Sequence, residues 1–259
     1  MKIGHIVSTM NNLDIKELIL TMKLKKSSII INQSDKVSYE NIRLNNANYE
    51  IYNFNERGVG LSRNSGLMRA IFDIIIVSDD DMIYIDGYEA IIEEAYKKYP
   101  DADMILFDVR IHENGKIKTL VRKEGRVRFL NCLKYGAVSF TFKNEEIRKK
   151  NIVFSLLFGG GAKYSNGEDT IFIWECLRAG LRIYSVDSII ADIHNDDSSW
   201  FEGYNEKYFK DRGVLFATLT KRFSKILCLQ FALRKRELFR DEMSWLEAFK
   251  IMLKGTEEI

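Results

Sequence analysis

Short apolar runs alternate with helix-period segments over about the first hundred residues, which predicts strands and helices in turn. Residues 3–8 predict a first strand, leading through Thr9-Met10-Asn11-Asn12 into a helix near 13–22. Residues 28–31 predict a second strand ending at the polar Asn32-Gln33-Ser34-Asp35, and residues 49–54 a third. A turn at Gly58 and Gly60 then precedes a helix over about 62–71. The run Phe72-Asp73-Ile74-Ile75-Ile76-Val77-Ser78 predicts a buried strand closed by Asp79-Asp80-Asp81, with a helix over 86–98 and a strand over 104–107 beyond it. Strands separated by helices pair in parallel between helical layers. Each one feeds a polar or glycine-rich segment at its C-terminal end, the edge where ligands sit in open α/β sheets.

After Asp108 the pattern changes. Asn114-Gly115 between 109–111 and 117–120 predicts a hairpin, and 137–142 a further strand, so the second half of the sheet is mixed. Gly159-Gly160-Gly161 reads as a flexible connection before a helix at 169–179, closed by Gly180. Residues 182–194 hold one or two strands, and from Tyr204 onward the chain reads as helices only. The expected division is an α/β domain over 1–200 and a helical C-terminal extension over 201–259. In that extension Phe216, Leu219, Phe223 and Leu227 share one helical face, while Lys221 and Lys225 lie on the other. Arg234, Lys235, Arg236 and Arg240 add a local basic excess. The segment is a core-packing helix with a solvated face, or a peripheral contact with an anionic membrane.

Composition narrows the class. With 46% hydrophobic and 29% charged residues the composition is that of a soluble globular protein, and a net charge of +2 argues against a dedicated nucleic-acid binder. No apolar stretch approaches the ~20 residues that span a bilayer, and the opening residues lead to no expectation of a secretory signal. Cys132, Cys176 and Cys228 are too scattered for a disulfide framework or a zinc knuckle, so a reducing, cytoplasmic location is expected.

The candidate chemistry is acidic. Bunching three carboxylates at the end of a buried strand raises their pKa values and invites a divalent cation, although an acidic turn before a helix has the same composition. Gly58-Val59-Gly60-Leu61-Ser62-Arg63 is not a dinucleotide fingerprint, because Arg63 stands where the third glycine belongs. A tight turn with Arg63 near a helix start suits a phosphate or carboxylate, or leaves an ordinary surface arginine. In Asn166-Gly167-Glu168-Asp169-Thr170, Asp169 is a helix N-cap or a carboxylate able to take a proton from a hydroxyl. His5 reads as a core residue and His112 as exposed. His194, before Asn195-Asp196-Asp197, is a strand-end imidazole ligand or a structural residue.

Together these segments resemble a family 2 glycosyltransferase with the GT-A fold. Ser8-Thr9-Met10-Asn11 resembles the family's first strand-end motif, and Leu61-Ser62-Arg63-Asn64-Ser65-Gly66-Leu67 its "aRN-x-gl" segment. Val77-Ser78-Asp79-Asp80-Asp81 resembles the D-x-D region, and Gly167-Glu168-Asp169 the ED motif. The pieces occur in the family's order over roughly residues 1–195. Met10 replaces the family's common Tyr, and the triple aspartate allows two registers of D-x-D.

The resemblance implies an α/β fold, a GT-A-like, Rossmann-type mixed and mostly parallel sheet flanked by helices. It implies a nucleotide-sugar donor, UDP-linked, contacted by Thr9, Asn11, Asp35, Arg63, Asp79 and Asp80. Asp81 and Asp79 would hold Mn²⁺ or Mg²⁺, with His194 a further ligand. Asp169 would be the base and Glu168 its support, in an inverting transfer. The acceptor would be a glycan or lipid-linked glycan of surface-polysaccharide synthesis at the inner face of the membrane, and a homo-oligomer is compatible. Two rivals remain: a nucleotidyltransferase using the same carboxylates and metal, and a non-catalytic nucleotide-sugar or glycan binder in an assembly complex.

Overall fold

The computed structural model describes every residue except Asn114, Arg122 and 195–202, so half of the Asn114-Gly115 turn and Asn195-Asp196-Asp197 lie outside the described residues. Among the described residues eleven strands join one sheet. In chain order they are β1 (Ile3–Met10), β2 (Ser28–Gln33), β3 (Ser38–Leu44), β4 (Ala47–Phe54), β5 (Ile74–Asp79), β6 (Met82–Tyr84), β7 (Met104–Glu113), β8 (Lys116–Lys118), β9 (Gly125–Val127), β10 (Phe140–Lys143) and β11 (Ile183–His194). Their spatial order is β3-β4-β2-β1-β5-β10-β7-β11-β6, with β8 on β7 and β9 on β11. Strands β4, β2, β1 and β5 run parallel, as do β7 and β11. Antiparallel β10 stitches the two parallel groups together, and antiparallel β6 closes the far edge. The expected mixed, mostly parallel α/β architecture is therefore present.

The central strands are apolar nearly throughout because helices cover both faces. On one face Val7, Ile30, Ile74 and Ile76 pack with Leu18 and Ile19 of α1 (Ile15–Thr21) and with Ile92 of a helix at Tyr88–Lys98. On the other, Ile6, Ile31, Ile75 and Val77 share a cluster with Leu67 of the helix Val59–Arg69, Ile147 of Asn144–Lys149 and Phe172 of Glu168–Arg178. These four helices are α3, α2, α4 and α5 by their place in the chain. Helices α6 (Glu206–Leu219), α7 (Ser224–Lys235) and α8 (Trp245–Gly255) form a third cluster that also takes in Phe158, Tyr164 and Ile171.

Three expectations need correction. Strand β3 was not foreseen: it is exposed except at half-buried Ile42 and Leu44, too short an apolar alternation to mark a strand, and it pairs with β4 through a turn at Asn45-Asn46, both at positive φ. The single helix expected across Phe216 and Leu227 is two, because Thr220 leaves the helical region at φ −161°. Phe216 and Leu219 are buried while Phe223 is half exposed. Gly159-Gly160-Gly161 is a packed support, not a free connection. Gly160 accepts a bond from the Val59 N–H (2.9 Å), and a Cβ on Gly159 would stand 2.7 Å from the Glu168 carboxylate.

The glycines of the 58–66 segment serve packing as well. A Cβ on Gly60 would meet the Ser155 carbonyl oxygen at 2.2 Å, and one on Gly66 the Ile6 side chain at 2.3 Å. Because the Gly60 neighbour is backbone, Gly60→Ala is expected to destabilise the fold by about 1–3 kcal/mol, read from urea unfolding. An unchanged midpoint would show that α2 is not seated as described.

Candidate active site

Strand register assembles the site. Pairing of β1 with β5 sets Ser8 beside Asp79, and pairing with β2 sets Thr9 and Met10 beside Asn32 and Gln33. All three strands thus deliver polar residues to one edge. There a cleft of about 430 Å³ is lined by Thr9, Gln33, Arg63, Asp79, Asp80 and Asp81, together with Gly167, Glu168 and Asp169. The aspartate triplet and the Gly-Glu-Asp segment, far apart in sequence, share this one cavity.

Arg63 joins them. Its side chain is 3% exposed; Nη1 donates to Glu168 Oε1 (2.8 Å) and Nη2 to Asp79 Oδ1 (2.8 Å) and Oδ2 (3.2 Å). Burial alone would pull its proton off more easily, but the carboxylates of Asp79 and Glu168 more than offset this and hold it charged. The guanidinium also lies over the Phe154 ring at 5.3 Å, and its Nε has no partner among the described residues. Arg63 sits one turn inside α2, not at its N-terminus, and its forks face the protein's own acids.

The other two aspartates are freer. Thr9 Oγ1 donates to Asp80 Oδ2 at 2.6 Å. Partial desolvation in the cleft raises the Asp80 carboxyl above its usual range, with Thr9 pulling the other way and Asp79 adding to the rise. Asp81 remains open to solvent, yet the cleft walls strip enough hydration, with Asp79 and Asp80 adding repulsion, to push it up to about 6. No three acidic, histidine or cysteine side chains among the described residues converge as a complete metal cage. With Asp79 clamped by Arg63, the open carboxylates of Asp80 and Asp81 are oxygen donors of the kind a hard cation takes.

Asp169 lies in the first turn of α5, partly buried. Burial, followed by repulsion from Glu168, pushes its carboxyl up to about 6 against the pull of Arg63. Its Oδ1 accepts from the Thr170 N–H (2.6 Å), but it does not cap α5, since Gly167 holds that position in the left-handed region. Asp169 also borders a second hollow of about 250 Å³, with Lys134, Tyr135 and Arg212.

Three predicted residues fall outside the cleft lining. Asp35 is exposed and paired with Arg57 (3.1 Å), which also reaches Asn11 Oδ1 (3.3 Å) at positive φ. Neither lines the cleft. His194 follows the Ile193–Met82 pair, but its ring stacks on His112 at 4.6 Å and does not join the triplet's cavity. His112 is half-buried and bonded to Asp192 (2.7 Å), not a free surface residue. His5 is the core residue expected: it bonds Ser78 and the Tyr88 hydroxyl, and burial lowers it to about 3. Sequence reasoning missed Gln33, which lines the cleft and brackets Gly58 by bonding both its N–H and its C=O. Its place at the end of β2 was the available signal.

No family model matches the chain, and no curated protein sequence matches it. Solved structures do. Residues 1–349 of S. aureus TarS in complex with UDP-GlcNAc superpose with a TM-score of 0.69 at 14% identity, covering 99% of this chain and 82% of that one. The complex with UDP gives 0.66 at 14% identity over 98% and 81%. The longer S. aureus TarS structure gives 0.67 at 14% identity, and this chain spans 50% of it. At this identity the likeness establishes a shared fold.

A stability consequence follows from Asp169. Its folded-state pKa of about 6 exceeds the usual 3.8, so the folded chain holds this proton more tightly than the unfolded one. That stabilisation is complete below about pH 4 and is lost as pH rises through about 6. Asp169→Asn should therefore out-stabilise the wild type above pH 6 by on the order of 1–2 kcal/mol and match it near pH 4. Melting curves at the two pH values check this.

Proposed function

We propose that the chain is a glycosyltransferase that moves a sugar from a UDP-linked donor to a hydroxyl of a glycan or lipid-linked glycan, with inversion. The observation that carries this reading is the single cleft shared by the aspartate triplet and the Glu168-Asp169 pair. The fold adds support, since TarS has been solved with UDP-GlcNAc and with UDP.

Mn²⁺ or Mg²⁺, held by Asp81 with Asp79 or Asp80, would neutralise the charge that builds on the departing nucleoside diphosphate. Thr9 holds Asp80 in orientation, and Arg63 fixes Asp79 at the end of β5 and Glu168 at the start of α5. Asp169 is the base. Ionised above about pH 6, it accepts the proton of the acceptor hydroxyl as that oxygen attacks the anomeric carbon and the bond to the donor phosphate breaks. Its position between the cleft and the hollow bearing Lys134 and Arg212 lets an acceptor approach from the second cavity. A carboxylate that must be ionised to work gives turnover rising with pH to a plateau above about 6.

A panel of nucleotide sugars, followed by release of nucleoside diphosphate with and without Mn²⁺, tests the reading. Asp169→Asn should lower kcat by about 10²–10⁴-fold while donor affinity stays within about threefold. Asp81→Ala should weaken Mn²⁺-dependent donor binding by about tenfold or more in titration calorimetry. Wild-type turnover by Asp169→Asn removes that residue from the mechanism. Pyrophosphate release from nucleoside triphosphates would make the chain a nucleotidyltransferase instead.

A further inference from the structure

Helix α7 is apolar on two faces: Leu227, Cys228, Phe231 and Ala232 pack with the third cluster, while a second apolar stripe faces outward. Ser224, Cys228 and Ala232 are its buried residues, whereas Ile226, Leu229 and Leu233 are 63%, 39% and 43% exposed. At 3.6 residues per turn these three fall in one stripe about 60° wide. Phe223, Leu130 and Leu157 extend it across an apolar groove of about 1390 Å³ that Ile226 also lines. Leu130, on a separate loop, is fully exposed.

The same face is cationic. No Asp or Glu occurs between Asp211 and Glu237, while Lys221, Arg222, Lys225, Arg234, Lys235 and Arg236 all lie exposed in that interval. Lys221, Arg222 and Lys225 make no ion pair among the described residues. On the helical wheel Lys225 and Arg234 flank the apolar stripe on opposite sides, where their stems can lie along it and their charges reach outward.

We infer that this face docks on an anionic lipid bilayer. Ile226, Leu229, Leu233, Phe223 and Leu130 enter the boundary between headgroups and acyl chains, and the flanking cations meet the lipid phosphates. A second copy of the chain is a poorer occupant, because a two-fold contact would set the basic strip against itself. The groove shares no lining residue with the cleft, so docking leaves the proposed catalytic groups untouched. Of the apolar residues the sequence singled out, only Phe223 belongs to this face, since Phe216 and Leu219 are buried in the core and Leu227 packs against it.

The test is flotation of the full chain with vesicles of phosphatidylcholine alone or mixed equally with phosphatidylglycerol. The chain should partition about tenfold or more in favour of the anionic vesicles, less so as salt rises. Ile226→Asp with Leu233→Asp should lower that partition about tenfold, and Lys221→Glu with Lys225→Glu should remove its salt-sensitive part. Met68→Asp, at a residue 75% exposed on α2, should change nothing, and thermal melting should show all variants folded. Equal or absent binding to the two vesicle types overturns the inference, as does binding indifferent to the paired Asp substitutions. A wild-type dimer that those substitutions disperse, with no vesicle binding, assigns the face to self-association and equally overturns it.

Discussion

The site depends on one buried positive charge. Moving a guanidinium into the interior costs several kcal/mol, and only close, well-oriented acids return it. Arg63 meets that requirement with Asp79 on one side and Glu168 on the other, and so joins the end of β5, the second turn of α2 and the start of α5. Around this link everything else finds its place: the glycines that let α2 settle, the Gly159–Gly161 turn under Glu168, and the Phe154 ring beneath the guanidinium. Without the arginine, Asp79 and Glu168 would face each other uncompensated across a partly dry cleft.

The remaining acids divide into those already satisfied and those in search of a partner. Asp79 is clamped and Asp80 is bonded by Thr9. Asp81 and Asp169 are raised to about 6 by desolvation and like charge. Raised carboxyls in a cleft are where cations bind or protons move, and the two lie in different segments of its wall. Under the proposed reading that separation divides the chemistry between leaving group and incoming nucleophile.

Much of this was legible in the sequence, for identifiable reasons. Short runs rich in isoleucine and valine and bounded by polar turns read as strands covered on both faces, so β1, β2 and β5 and the polar edge beyond them stood out. Arg63, Asp79 and Asp169 stood out by residue type, but their mutual geometry did not, because the Arg63–Glu168 contact spans 105 positions that only the tertiary fold brings together. Strand β3 escaped because an exposed edge strand needs no apolar period. The break at Thr220 escaped because threonine is compatible with either state. The place of His194 was legible only in part: β11 carries it next to the triplet's turn, while the stacking of its ring on His112 depends on the pairing of β11 with β7.

The antiparallel strand β10 has a consequence for assembly order. It is only four residues long, yet it alone bridges β5 and β7, which would otherwise each present an open edge. As the chain emerges from a ribosome, both edges exist before residues 140–143 are available to occupy them. Until then the nascent polypeptide holds two adhesive flanks of isoleucine, leucine and phenylalanine, the kind of surface that recruits chaperones or neighbouring copies. Closure of the gap between β5 and β7 therefore waits on four residues, and the other side of β7 waits longer still, for β11.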